Sequence, residues 1–463
     1  MNKSFGKDYT TGNIPRHLIA FIFPVLIGTM VQTSYSIINA IWVGQLLGSD
    51  AVGAIAIVFP ITLILIALIS GISTAASILI ARNYGARRND VIQKVVNNAW
   101  TLSVILIIIT IIIGLLSSDS ILRLLHTPDS IMHYASGYLK LIFISFCTMN
   151  ISNLTVSTVR GVGDTKTPTM FLILSTIINA VLDPMLIIGI GPFPRMELNG
   201  AAVATLISGA CSTIFGVTYL CRRYSKLPLR PRKLHLELET IKTLAKVGLP
   251  IFIQQTILSL GIGFVTTFVN SFGAKATAAF GAAMRVEMFL TMPNMAILMA
   301  VSTLTAQNLG AYKYSRIKNI FTWGIVISLS IITVFLIPIL VFPTQIMGMF
   351  VKDPTVNSFG ATYLRTICPA YILLAVSYVA NGVINGSGKT FITMSFSFVS
   401  SCIIRIIAAW LFSRVFGLKG IWYGIVLSYC ITFTFNFVYY LSGNWRKEKS
   451  KADIRVIEDG LET

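Results

Sequence analysis

The sequence predicts an all-α membrane protein: twelve transmembrane helices in two parallel-oriented six-helix bundles around a central cavity. Three observations carry this. Of 463 residues, 55% are hydrophobic and only 11% charged, whereas a soluble domain carries about 25% charged residues. Apolar runs long enough to cross about 30 Å of hydrocarbon recur along the whole chain. Short motifs of the first half also return in the second half, in the same order.

The apolar runs fall at 18–43, 54–80, 95–117, 138–159, 169–190 and 200–220, then at 248–271, 278–305, 320–342, 363–384, 392–412 and 420–442. The first follows a polar, basic start, MNKSFGKDYTTGNIPRH, and exceeds the core of a signal peptide, so it reads as a retained helix. Basic residues crowd alternate connections: Arg82, Arg87, Arg88 and Lys94; Arg160 and Lys166; Lys313, Arg316 and Lys318. The opposite side carries only scattered cations such as Arg123, Arg195 and Lys352. The positive-inside rule then places both termini in the cytoplasm of a multi-pass protein of the cell (plasma or inner) membrane. It also accounts for the net charge of +19 without a nucleic-acid partner.

Three segments follow: an N-terminal six-helix lobe (1–220), a cytoplasmic linker (221–247) and a C-terminal six-helix lobe with a short basic tail (248–463). The polybasic linker reads as a plain connector, since its charges are those the topology rule requires.

The repeat relates the lobes. ARNYGA (Ala81–Ala86) returns as AQNLGA (Ala306–Ala311), and RGVGDT (Arg160–Thr165) as NGSGKT (Asn385–Thr390), both 225 residues later. Tyr138-Leu139-Lys140 likewise returns as Tyr363-Leu364-Arg365. An even number of spans per half makes the repeats parallel, related by an axis along the membrane normal. Two such bundles suit alternating access better than a fixed pore or a membrane enzyme. NGSGKT has the letters of a phosphate loop but joins two membrane helices, so it is not one. The six cysteines and four histidines are dispersed without metal-ligand spacing, so no metal or other cofactor is expected.

The chemistry concentrates at Leu172–Gly189, where a single carboxylate, Asp183, interrupts an apolar helix. Burying it costs at least ~2.5–3.5 kcal/mol, which marks it as functional by default. Asn179 lies one turn earlier on the same face. Pro184 has no N–H to donate, frees a carbonyl one turn back, and is expected to bend the helix beside the acid. In the second half, Arg285 and Glu287 sit two apart in the eighth span, so each needs a partner on another helix; Arg405, in the eleventh, is a candidate for Glu287. Glu287 thus reads either as a second titratable or cation-binding site or as half of a structural ion pair. Aromatic residues including Tyr35, Trp42 and Tyr371 offer rings to organic cations, although most rings in a bundle serve packing.

These stretches resemble the multidrug and toxic compound extrusion (MATE) transporters. INAIWVG (Ile38–Gly44), ARNYGA, RGVGDTKTP (Arg160–Pro168), NAVLDP (Asn179–Pro184), NGAAVATLIS (Asn199–Ser208), RVEMFLTMP (Arg285–Pro293) and AQNLGA carry the likeness, in order, within residues 15–440. The resemblance implies secondary active efflux of amphipathic, often cationic small molecules, driven by inward Na⁺ or H⁺, from a chain sufficient as a monomer in the bilayer. It implies a cation-sensitive pocket in the first lobe made by Asp183, Asn179, Thr205 and Asn153. Where many relatives carry a first-helix aspartate, this chain has Asn39, so the pocket holds one carboxylate rather than two. The alternative on the same scaffold is a flippase for lipid-linked precursors. That function calls for a strongly cationic cavity to hold pyrophosphate, whereas only Arg285 and Arg405 lie within the spans, with acids nearby.

Overall fold

The computed structural model describes residues 6–191, 193–223 and 236–446, without the side chains of residues 36, 37, 40, 41 and 49. The centre of the linker (224–235, with Lys226, Arg230, Arg232 and Lys233) and the basic tail (447–463) lie outside the described residues. Twelve helices are long and apolar enough to span a membrane, and no strand occurs among the described residues.

The first two spans, α1 and α2, are arms of one helical run, Ile14–Gly85, broken only at Gly48. Its φ of 79° and ψ of −167° are open to glycine and strained for residues with a Cβ. There follow α3 (Asn89–Leu124), α4 (Asp129–Gly161), α5 (Lys166–Ile188), α6 (Glu197–Arg223), α7 (Leu238–Asn270), α8 (Ala274–Gly310) and α9 (Tyr314–Val341). The last three are α10 (Pro354–Gly386), α11 (Thr390–Phe416) and α12 (Leu418–Leu441). A 3₁₀ turn at Cys368–Ala370 interrupts α10, and α11 contains a π-helical stretch, Phe398–Ile404.

Local chemistry explains the helix starts and the tolerated prolines. Asn13 caps α1 by accepting from the Arg16 N–H at 3.1 Å. Pro24, inside α1, cannot donate to the Ala20 carbonyl, and the Thr165 hydroxyl supplies that bond from the α4–α5 turn at 3.4 Å. Thr169 adds a bond to the Pro24 carbonyl at 3.1 Å. The same turn, the RGVGDT motif, receives the segment before α1: Lys7 N–H donates to the Val162 carbonyl at 3.0 Å. The buried Tyr9 hydroxyl donates to the Gly163 carbonyl at 2.6 Å.

The chain divides into two compact units, Met1–Leu260 and Gly261–Thr463. The first turns of α7 belong with the first unit, because two glycines let the backbones touch: a Cβ on Gly71 would lie 2.8 Å from the Gly248 carbonyl oxygen. The first unit's core is aliphatic and aromatic, around Val58, Leu122, Leu139 and Phe146. The second is built on Phe280, Tyr363, Ile421 and Trp422. Large apolar side chains such as Leu116, Val334 and Val415 face outward, as expected when the surrounding solvent is lipid.

Candidate functional site

The structure builds a site in the first unit around Asp183, which is 0% exposed. Its Oδ2 accepts two hydrogen bonds from α1, one from the Tyr35 hydroxyl and one from Asn39 Nδ2, the latter at 2.8 Å. Asn39 Nδ2 also donates to the Tyr35 oxygen at 2.8 Å, closing a three-residue ring of polar groups. Oδ1 is buried and has no partner among the described residues.

One turn earlier on α5, Asn179 is also buried, and its Nδ2 donates to the Thr205 oxygen of α6 at 3.4 Å. Thr205 donates its own proton to the Ala201 carbonyl at 3.0 Å. Asn179 Oδ1, like Asp183 Oδ1, is buried and unpartnered among the described residues. One helix face therefore presents two bare acceptor oxygens, one of them charged. Buried acceptors are almost always satisfied, so this pair is where a further partner for the group would bind.

The expected set is brought together in part. Asp183, Asn179, Thr205 and Asn39 form one group. Asn39 enters it by donating to the carboxylate, as a first-helix aspartate would not. Asn153 is exposed on α4 and donates to the Met149 carbonyl of its own helix at 2.9 Å, outside this group. Pro184 leaves the Ala180 carbonyl without a helical donor, yet α5 runs unbroken from Lys166 to Ile188 through it. Tyr35 is the member that reasoning from residue types missed as a ligand of Asp183. Its spacing of four from Asn39, on one face of α1, was the available signal.

In the second unit, Glu287 of α8 has no salt bridge to Arg405, and the expected pairing is corrected. The Tyr363 hydroxyl donates to Oε2, while those of Tyr371 and Tyr429 donate to Oε1, the last at 2.8 Å. Arg405, buried on α11, donates through Nε to Ser428 at 3.0 Å, and its guanidinium lies over the Tyr429 ring, 5.3 Å from the centroid. Anion and cation are thus linked through one phenol: Tyr429 donates to Glu287 and offers its ring face to Arg405. Arg285 is corrected as well: it is exposed and has no partner on another helix among the described residues.

The sequence model of the MatE family matches residues 24–185 and again 250–411, which is the internal repeat seen as two copies of one pattern. The chain is 30% identical to the probable multidrug resistance protein YoeA of Bacillus subtilis, over 94% of this chain and 95% of that protein. It is equally identical to the probable multidrug resistance protein YpnP of the same organism, over 96% and 98%. A solved MOP-superfamily transporter from Pyrococcus furiosus superimposes with a TM-score of 0.89 at 23% identity, over 97% of this chain and 100% of that one. That likeness shows the fold. With a family pattern matched twice in order and relatives aligned almost end to end, the chain belongs to the MatE family of multidrug and toxic compound extrusion transporters.

Proposed function

We propose that this transporter exports amphipathic, cationic small molecules by antiport with a monovalent cation, Na⁺ or H⁺, which binds at Asp183. The observation that carries the reading is the pair of buried oxygens on Asp183 and Asn179 that have no partner among the described residues, beside an Oδ2 already capped by Tyr35 and Asn39. A cation entering there neutralises the only carboxylate of the group. An organic cation competes for the same charge, so the two favour different conformations of the protein and exchange for one another. The basic connections support placement in the cell membrane with both termini cytoplasmic.

The test is efflux of a fluorescent organic cation from proteoliposomes, with sodium and proton gradients imposed separately, for wild type and Asp183→Asn. Gradient-driven efflux by wild type, lost in an Asp183→Asn variant that unfolds thermally like wild type, is the expected result. Undiminished gradient-driven efflux in the variant would remove Asp183 from coupling.

A further inference from the structure

The face of α5 that carries Asp183 is polar along most of its length. Thr165, just before the helix, is followed by Thr169, Thr176, Asn179 and Asp183 at spacings of four, seven, three and four, which sets them in one line. All five are buried. The line is broken at Leu172, whose Cδ2 packs against Gly28 of α1, 3.1 Å from where a Cβ would stand. The threonines commit their hydrogens to backbone carbonyls: Thr165 to Ala20 at 3.4 Å, Thr169 to Thr165 or Pro24 at 2.8 and 3.1 Å, and Thr176 to Leu172 at 2.8 Å. What remains on each is an oxygen lone pair, which suits a cation or a water molecule and not an anion.

At the end away from Asp183 this stripe meets the RGVGDT turn, and the segment before α1 is folded across that turn. Its Lys7 N–H and Tyr9 hydroxyl bond to the Val162 and Gly163 carbonyls. The Tyr9 ring is 0% exposed and packs on His17 and Phe21 of α1, with centroids 5.1 and 6.2 Å away. Asp8 Oδ1 accepts from the Thr10 N–H and hydroxyl at 2.8 and 2.6 Å, and the Thr11 carbonyl lies 2.8 Å from His17 Nε2. The segment is therefore tied within itself, to α1 and to the turn. Gly163 has a φ of +87°, and a Cβ on it would lie 2.7 Å from the Tyr9 ring.

The second unit lacks both features together. Gly388, the repeat equivalent of Gly163, has a φ of +80°, but no atom of the described residues lies within 4 Å of an added Cβ. At the same offset the stripe of α5 becomes Thr390, Met394, Ser401, Ile404 and Ala408, which is half apolar and has no acid. The turn is covered where the polar stripe runs into it and bare where no such stripe does.

We propose that residues 6–13 form a strap that seals the polar stripe of α5, so that small cations do not cross the membrane through the first unit itself. An antiporter that let its driving ion run along this stripe would dissipate the gradient without moving substrate. That an ion enters the stripe by way of Asp183 rests on the function proposed above; the seal does not.

The experiment follows passive ion entry into substrate-free proteoliposomes after a proton or a sodium jump, using a pH-sensitive or a sodium-sensitive dye inside. Wild-type vesicles should admit ions no faster than protein-free ones. Tyr9→Ala loses the buried ring and the bond together, so the locally opened strap becomes more populated, and entry of one of the two ions should rise at least tenfold. Tyr9→Phe keeps the ring and loses only the bond to Gly163, with an expected rise of about fivefold. It decides alone should Tyr9→Ala fail to fold. Gly420→Ala, which crowds the Phe412 backbone in the second unit, should stay at the wild-type rate, which a general loosening of the fold would not. A leaky wild type, wild-type rates in the folded Tyr9 variants, or an equal rise in Gly420→Ala would each overturn the seal. Adding Asp183→Asn to Tyr9→Ala separates the two readings. Entry that falls back supports both, whereas entry that stays high upholds the seal and counts against Asp183 as the ion's site.

Discussion

Tyr35→Phe has an expected effect whose sign runs against intuition. Removing a ligand of the acid should make the coupling cation bind more tightly. In the structure the Tyr35 hydroxyl donates to Asp183 Oδ2 and also accepts from Asn39 Nδ2. Phenylalanine keeps the ring and loses both bonds. Asn39 retains its own 2.8 Å bond to Oδ2, so the carboxylate goes from two donors to one. A hydrogen bond to a charged group contributes about 1.5–3 kcal/mol net. Part of that is retained once the acid is neutralised, because the hydroxyl still donates to a neutral oxygen for ~0.5–1.5 kcal/mol. The difference, about 1–2 kcal/mol, is stabilisation that the empty anionic site loses and the occupied site does not. The half-saturating concentration of the driving cation should therefore fall roughly five- to thirtyfold. The assay is dye efflux from proteoliposomes as a function of the imposed cation concentration, with thermal unfolding in detergent to confirm the fold. An unchanged or higher half-saturating concentration in folded Tyr35→Phe would refute the geometry on which the site is built.

Two further outcomes follow from packing and from an exposed cap. Gly420→Ala should cost at least about 1–3 kcal/mol, a fall in melting temperature of roughly 3–10 °C, because its Cβ would lie 2.1 Å from the Phe412 carbonyl oxygen. Gly263→Ala, with no atom within 4 Å of the added carbon, should leave the melting temperature within about 1 °C. Asp353 caps α10, accepting from the Thr355 and Val356 N–H groups at 2.7 and 3.3 Å and from the Lys275 ammonium at 3.1 Å. The Lys275 ammonium and then the Thr355 N–H hold its carboxyl below the usual range. That contribution is present above the ordinary aspartate pKa of about 3.9 and is lost as pH falls through the lowered value. Asp353→Ala should lose both the cap and the Lys275 pair at neutral pH already, seen as faster amide exchange in the first turn of α10.

The spans were legible because lipid imposes length and composition at once, and Asp183 with Asn179 was legible because a carboxylate in an apolar helix has few bland explanations. What escaped was a group brought in from far along the chain. Tyr35 is 148 residues from Asp183, and no local period announces that α1 packs its tyrosine against α5. The boundary between the first two runs was also hidden. Residues 44–53 read as a connection, yet they stay helical except at Gly48, since one backbone reversal of hand is enough to turn the chain. The surroundings of Glu287 are hidden for the same reason: its three phenol donors come from α10 and α12, 76, 84 and 142 residues along the chain.

The two acids also show what duplication preserved and what it released. At the repeat offset of 225, Asp183 corresponds to Ala408 and Glu287 to Thr62, so neither lobe's carboxylate has a counterpart in the other. Tyr138 and Tyr363 do correspond, yet only Tyr363 donates to an acid, Glu287. The helices were copied, and in the turn after the fourth span Gly161 and Gly163 return as Gly386 and Gly388. The polar groups were not, because a site needs only one helix to carry the charge and its neighbours to supply donors. Among the described residues, those donors leave one oxygen of Asp183 bare in the first unit and cover both of Glu287 in the second. A bare oxygen has room for a further partner, whereas a covered one has its hydrogen bonds already made. The two single neutralisations should accordingly differ: Asp183→Asn should remove dependence on the imposed gradient, whereas Glu287→Gln, at a site whose oxygens are already covered, should leave it in place.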